Sequence, residues 1–257
     1  MDFYKIGLQV LSNVKNWIFR TPIQNYKLNN STPIHHDEWH ILLQKYVNDK
    51  GDINYLGFQT ERAKLQTYLN KLSKNPPNDK NWSRDEALTY WINAYNAFTV
   101  ELILKYYPVK GIREIGGKLI FINSSWDIKF FKINGVPFDL NIIEHEIIRK
   151  EYNEPRIHFA IVCASISCPR LLNEAYTAEK LEEQLELQTR YFINNPIKNQ
   201  ITPSTAKLSS ILDWYKSDFP KEQSMIEFIN QYATTKIEKN TTVSYLEYNW
   251  NLNEVLD

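Results

Sequence analysis

From Ser83 to Tyr106, apolar residues fall on nearly every face of a helical projection: Ala87, Leu88, Trp91, Ile92, Ala94, Phe98, Val100, Leu102 and Ile103. A helix that is apolar all round is one the rest of the protein encloses. Ser83 followed by Glu86 marks its start, since this pair makes a capping box. Helical periodicity predicts two earlier helices, about Glu38 to Val47 and about Phe58 to Leu72, the second closed by Asn75-Pro76-Pro77-Asn78. Upstream, Thr21 to Ile34 has turn composition and no period, which reads as a linker. Phe3, Val10, Val14, Trp17 and Ile18 are near helical spacing, so Met1 to Arg20 reads as an amphipathic helix packed on the protein.

Beyond residue 130 the pattern shifts toward strands. Phe131-Lys132-Ile133 and Val136-Pro137-Phe138 flank Asn134-Gly135, the pair that supplies positive φ to a type I′ hairpin turn. A helix is expected over Leu140 to Tyr152, and a buried strand over Arg156 to Cys163, a run apolar on both faces beyond its first residues. Thr177 is expected to cap a helix running to about Ile193. Short strands and turns follow Pro196, then a helix near Met225 to Tyr232 and a closing strand near Val243 to Tyr248. The whole predicts an α+β fold: a helical N-terminal half, a buried central helix and a mixed, mostly antiparallel sheet. Residues 1–34 form an N-terminal segment and linker, and 35–257 one globular domain.

Composition narrows the chemistry. Of 257 residues only seven are glycine, all before residue 136, where average usage of roughly 7% would give about 18. Neither G-x-G-x-x-G nor G-x-x-x-x-G-K occurs, which argues against a nucleotide-cradling loop. Thirty basic residues balance thirty acidic ones, without the basic footprint of a nucleic-acid binder. No apolar run approaches the ~18 residues of a membrane span. Asp2, Lys5, Gln9, Asn13 and Lys15 interrupt any signal-peptide core, so the expected compartment is the cytoplasm. Two cysteines are compatible with reducing surroundings.

Candidate chemistry concentrates between Asp139 and Tyr176. On a helix from Leu140, the residues Leu140, Ile143, Ile147 and Ile148 make an apolar stripe that includes Glu144, with His145 on its flank. A carboxylate there needs a partner, and Arg149 and Arg156 are near in sequence. Strand alternation sets Arg156, His158, Ala160 and Val162 on one face and Cys163 on the other, so His158 and Cys163 are expected to point apart. Cys163 then reads as a small core residue, whereas Cys168 lies in the loop beyond the strand. A thiolate nucleophile needs a base within about 2.6–3.2 Å and a group to orient that base. His145 is the candidate base, oriented by Asp139 or Glu144; a reduced structural pair or a short-loop disulfide between Cys163 and Cys168 is the alternative. Asn93 and Asn96, three apart on the buried helix, are expected to brace neighbouring backbone, with substrate contact as the lesser reading. His36 and His40 lack the glutamate offset of H-E-x-x-H, and neither a metal site nor a cofactor is expected.

Five ordered segments resemble the family called domain of unknown function 547: Tyr90 to Ala97, Ile143 to Arg149, Pro155 to Pro169, Ala175 to Thr177 and Tyr248 to Asn253. The resemblance spans about 82–253 and implies that His145, Arg149, Arg156, His158, Cys163, Ser167, Cys168 and Pro169 belong to a shared signature. Many bacterial members of that family look exported. Two functional expectations stand. One is a thiol-dependent hydrolase or acyl transferase acting on a small molecule or peptide. In it Cys168 or Cys163 is the nucleophile, His145, Glu144 and His158 move or hold protons, and Arg156, Arg149, Ser167, Asn93 and Asn96 contact substrate. The other is a non-catalytic binding or scaffold domain with a peptide or carbohydrate groove, suited to seven tryptophans and 16 tyrosines.

Overall fold

Helix Arg84–Tyr106 is the axis on which the other elements are placed, and every residue from Ala87 to Leu104 on it is buried. Both bonds of the expected capping box form between Ser83 and Glu86. The computed structural model describes residues 23–116, 124–219 and 224–255, so the expected N-terminal amphipathic helix lies outside the described residues. Before the axis come α1 (Asp37–Tyr46), α2 (Tyr55–Thr60) and α3 (Arg62–Lys74), which makes the axis α4. The single helix expected over 58–72 is divided at Glu61, which leaves helical angles at φ −112° and ψ 23°. Its carboxylate is held there by Tyr46 Oη at 3.0 Å and Lys64 Nζ at 2.6 Å. α3 packs on both α1 and α4.

The expected hairpin forms from β1 (Phe131–Ile133) and β2 (Val136–Phe138), antiparallel, with Phe131 opposite Phe138. Asn134 (φ 47°) and Gly135 (φ 78°) both take the left-handed conformation its turn requires. A second, mixed sheet has the order β3 (Gln200–Ile201), β4 (Ala206–Leu208), β5 (Val243–Tyr245), antiparallel then parallel. The fold is thus α+β, with a helical first half and a small mixed sheet in the second. Phe159, Phe192, Leu208, Leu212, Phe228 and Ile229 build a smaller core beneath that sheet, apart from the main core around α4.

Two elements differ from expectation. Between Asp139 and Tyr152 the chain forms a π-helix, Ile142–Ile148, that runs into a short α5, Arg149–Glu151. Arg156 to Cys163 is not a strand. Pro155–Phe159 is a 3₁₀ helix, begun by Pro155 in its first turn and by the Glu154 side chain accepting from Arg156 N. The next residues cross the core with side-chain rather than strand partners: Asn96 Nδ2 donates to Ala160 O at 3.0 Å, and Val162 N donates to Asn96 Oδ1 at 3.0 Å. Asn93 makes the same pair of bonds with Tyr176 O and Tyr176 N. An apolar run describes any buried segment, and periodicity alone does not distinguish these forms. Thr177 makes no side-chain cap; a 3₁₀ turn, Ala178–Lys180, leads into α6 (Leu181–Asn194), and Gln184 Oε1 accepts from Thr177 N instead. The last helices are α7 (Ser210–Trp214) and α8 (Met225–Tyr232).

Asn96→Ala leaves a donor and an acceptor unpaired in the dry core, and is expected to cost about 2–4 kcal/mol in urea unfolding. A smaller loss, below about 1 kcal/mol, would contradict that role. His36, buried with Nδ1 at 2.6 Å from Tyr68 Oη, has its pKa lowered to about 4 by burial and by Lys71. The unfolded chain takes its proton near 6.5 and the folded chain only near 4, so this group makes stability fall as pH drops through that window. Urea midpoints between pH 7.5 and 4.5 are expected to decline less steeply in His36→Gln than in the natural chain.

Candidate functional site

The π-helix delivers Glu144 into the interior, where it is 4% exposed. Both of its oxygens accept from tyrosines: Tyr95 Oη, on α4, at 3.0 Å and Tyr215 Oη, just after α7, at 2.6 Å. Trp126 Nε1 in turn donates to Tyr95 Oη at 3.2 Å. His145 lies outside this cluster, half-exposed, its Nδ1 2.9 Å from Arg149 Nη1 and 3.9 Å from Glu144 Oε1. A guanidinium only donates, so His145 Nδ1 is the acceptor and its remaining proton sits on Nε2. Arg149 also forms a two-pronged pair with Asp218, at 2.5 and 2.7 Å.

Asp218 joins the site to a second histidine. Its Oδ2 is 2.8 Å from His158 Nε2, and the His158 ring stacks on Tyr215 with centroids 3.9 Å apart. Burial pushes the His158 pKa down and favours the neutral imidazole. Burial would raise Asp218, but bonds from His158 and Arg149 outweigh it and hold the carboxyl well below its usual range. His158 Nε2 is therefore the donor to an ionised carboxylate, which leaves Nδ1 as the basic nitrogen.

The two cysteines are free and unequal: Cys163 is partly exposed, whereas Cys168 is 3% exposed. Cys163 N donates to Cys168 Sγ at 2.8 Å, and Cys163 Sγ lies 3.2 Å from Ser165 Oγ and 3.3 Å from Tyr248 Oη. The Cys168 thiol beside it, with help from Ser165 and Tyr248, lowers the Cys163 pKa; burial raises that of Cys168. Ala164, directly after Cys163, is held at φ 58°, a strained conformation for a residue with a Cβ.

What holds this loop is the chain's last described segment. Ile166 N donates to Asn251 O (2.8 Å), Ser167 N to Asn249 O (3.1 Å), and Asn253 N to Ala164 O (3.4 Å). Asn249 N returns a bond to Ser167 Oγ at 2.9 Å. The strap is seated against Gly111, where a Cβ would come within 2.2 Å of Trp250 O.

Glu144, His158, Cys163 and Cys168 line one cavity of about 70 Å³, walled by Tyr95, Trp126, Trp214, Tyr215, Tyr248 and Trp250. His158 also lines a larger open cleft of about 490 Å³, together with Arg149, Glu154 and Asp218. The expected divergence of His158 and Cys163 is therefore corrected, because it rested on a strand that does not form. Other sequence candidates sit elsewhere. Arg156 is clamped between Glu154 and Glu182, with guanidinium bonds of 2.7–2.8 Å. Ser167 holds the strap, and Asn93 and Asn96 hold backbone. Asp139 Oδ1 accepts from Ile142 N at the start of the π-helix, and burial pushes its pKa up to about 6. His36 and His40 contact Tyr68 and Ala175 N respectively; among the described residues no three His, Cys, Asp or Glu side chains are grouped to hold a metal. Asp218, Tyr215 and the tyrosines and tryptophans of the cavity wall were not singled out by sequence. Of these, Tyr95, Tyr248 and Trp250 carried a signal, as part of the first and last family-like segments.

An α+β chain with a cysteine, a histidine–aspartate pair and a buried glutamate about one aromatic cavity is the class that fold and geometry define. Residues 80–193 match the model of the family described as protein of unknown function, DUF547. The match includes Glu144, His158, Cys163 and Cys168, and stops before Tyr215, Asp218 and the strap. Comparison with curated proteins and with solved structures gives no match. Among the described residues no helix is long and apolar enough to cross a membrane.

The unequal sulfurs have a direct chemical consequence. Limited iodoacetamide treatment at pH 7, followed by peptide mass mapping, is expected to modify Cys163 before Cys168; the opposite order would contradict this assignment.

Proposed function

We propose that the chain is a thiol-dependent acyl-transfer enzyme, with Cys163 as nucleophile and His158, oriented by Asp218, as general base and acid. The observation that carries this reading is the joint placement of Cys163 and His158 on one cavity wall, with the histidine tied to an ionised aspartate. Cys163 replaces Cys168 as the preferred nucleophile because it is the more exposed residue of the two and the one whose thiolate is favoured. His158 replaces His145 because His145 has its Nδ1 engaged by Arg149 and is not part of the cavity wall.

Cys163 Sγ attacks a carbonyl carbon, and the thiol proton passes to His158 Nδ1 directly or through a bound water. As the tetrahedral intermediate collapses, the bond to the leaving group breaks and His158 returns the proton to it. The thioester then passes its acyl group to water or to another acceptor that His158 deprotonates. The Ile166, Ser167 and Cys168 amides are engaged with Asn251, Asn249 and Ser165 carbonyls. This leaves the Ala164 and Ser165 N–H groups as the loop's donors to a developing oxyanion. The left-handed Ala164 sets the direction of both.

Incubation with p-nitrophenyl acetate is expected to leave one acetyl group on Cys163, detected by mass mapping. Asp218→Asn is expected to slow acetylation by about 10²-fold or more, since neither its charge nor the imidazole tautomer survives. Acetylation of Cys163 no faster than that of a free cysteine peptide, with the fold intact by circular dichroism, would overturn the proposal.

A further inference from the structure

Glu144 has no place in the thiol chemistry above, yet it lines the cavity as a buried carboxylate. Its two hydrogen-bond donors are neutral phenols. The nearby Arg149 charge is matched by the two-pronged bond to Asp218. His145 Nδ1 is engaged by Arg149, and burial lowers the His158 pKa. Lys198, a cation near the cysteines, donates to Ile166 O on the loop rather than to Glu144, and burial lowers its pKa. The hydrogen bonds that Glu144 accepts in the cavity thus come from neutral phenols, while the nearby Arg149 guanidinium is bonded to another carboxylate.

The walls have the matching property. Tyr95, Trp126, Trp214, Tyr215, Tyr248 and Trp250 present π-systems, whose faces attract cations electrostatically. Two of these rings already attract the chain's own cations: the Arg113 guanidinium lies 5.1 Å from Trp250 and that of Arg149 5.1 Å from Tyr215. Trp214, at the mouth, is 48% exposed, although an indole is among the side chains that gain most from burial. The space of about 70 Å³ is small beside the neighbouring open cleft of about 490 Å³ and suits a compact group such as an ammonium head.

We propose that this cavity is a recognition site for a small methylated ammonium group, and, resting on the thiol reading above, that this group belongs to the substrate whose acyl carbon Cys163 attacks. Glu144 supplies the counter-charge and the rings replace the cation's hydration shell. Carboxylate and thiol on one wall then select an acyl compound with a cationic head a few atoms from its carbonyl.

Choline and its uncharged isostere 3,3-dimethylbutan-1-ol are titrated separately into the full chain, followed by tryptophan fluorescence and calorimetry. Choline is expected to bind about tenfold more tightly or better, and Glu144→Gln, which keeps the shape and one acceptor oxygen but removes the carboxylate, to bring the two within about threefold. Equal affinity of the natural chain for both compounds would overturn the assignment, and needs no variant to fold. So would a folded Glu144→Gln that binds choline as the natural chain does. Acetylation of Cys163 is read on the same preparation: acetylation without choline binding removes the cation site and keeps the thiol chemistry, and choline binding without acetylation does the reverse.

Discussion

A buried peptide group with no partner costs about 1–3 kcal/mol, and the segment leading to Cys163 crosses the core with no strand beside it. Asn96 removes that cost at both ends, its amide pairing with Ala160 O and Val162 N as a neighbouring strand's peptide would. Asn93, one turn earlier on the same helix, does the same for Tyr176. The central helix is thus more than an apolar rod. It is the template on which irregular backbone is laid, and Tyr95, between the two asparagines, presents the hydroxyl that reaches Glu144. Position of the carboxylate, of the cysteine and of the loop before α6 all trace to Asn93, Tyr95 and Asn96, three side chains within four positions of α4.

The site has two electrostatic halves. On one side Arg149, Asp218 and His158 form a chain in which each charge has an opposite neighbour, and whose consequence is a neutral imidazole held in one tautomer. On the other, Glu144 faces rings and a thiol. Tyr215 joins the halves, since its hydroxyl bonds Glu144 while its ring carries the His158 stack. A displacement of Tyr215 therefore alters the surroundings of both His158 and Glu144 together.

How much of this could be read from the residues follows from how local each cause is. The capping box at Ser83 and the Asn134-Gly135 turn depend on neighbours within a few positions, and both form as their residues predict. The run Arg156 to Cys163 announces burial, which is correct, but not conformation, because the partner that decides it, Asn96, lies more than sixty positions away. The same distance hides Asp218 from His158, and hides Tyr248 from Cys163. Glu144 was legible as a carboxylate inside an apolar stripe; that its partners would be two phenols was not, since one comes from α4 and the other from beyond α7. The cysteines were legible as a pair, while their ranking depended on which sulfur the strap leaves open.

That strap, running from Tyr248 to Asn253, also orders events in time. A ribosome delivers α4, the histidines and both cysteines well before it delivers the residues that bond the Cys163 loop. Until then Ala164 has no external partner holding its strained conformation, and the aromatic wall lacks Tyr248 and Trp250. The surroundings of Cys163 are consequently assembled last, so a partly synthesised chain carries the cysteine without the Tyr248 contact that helps lower its pKa.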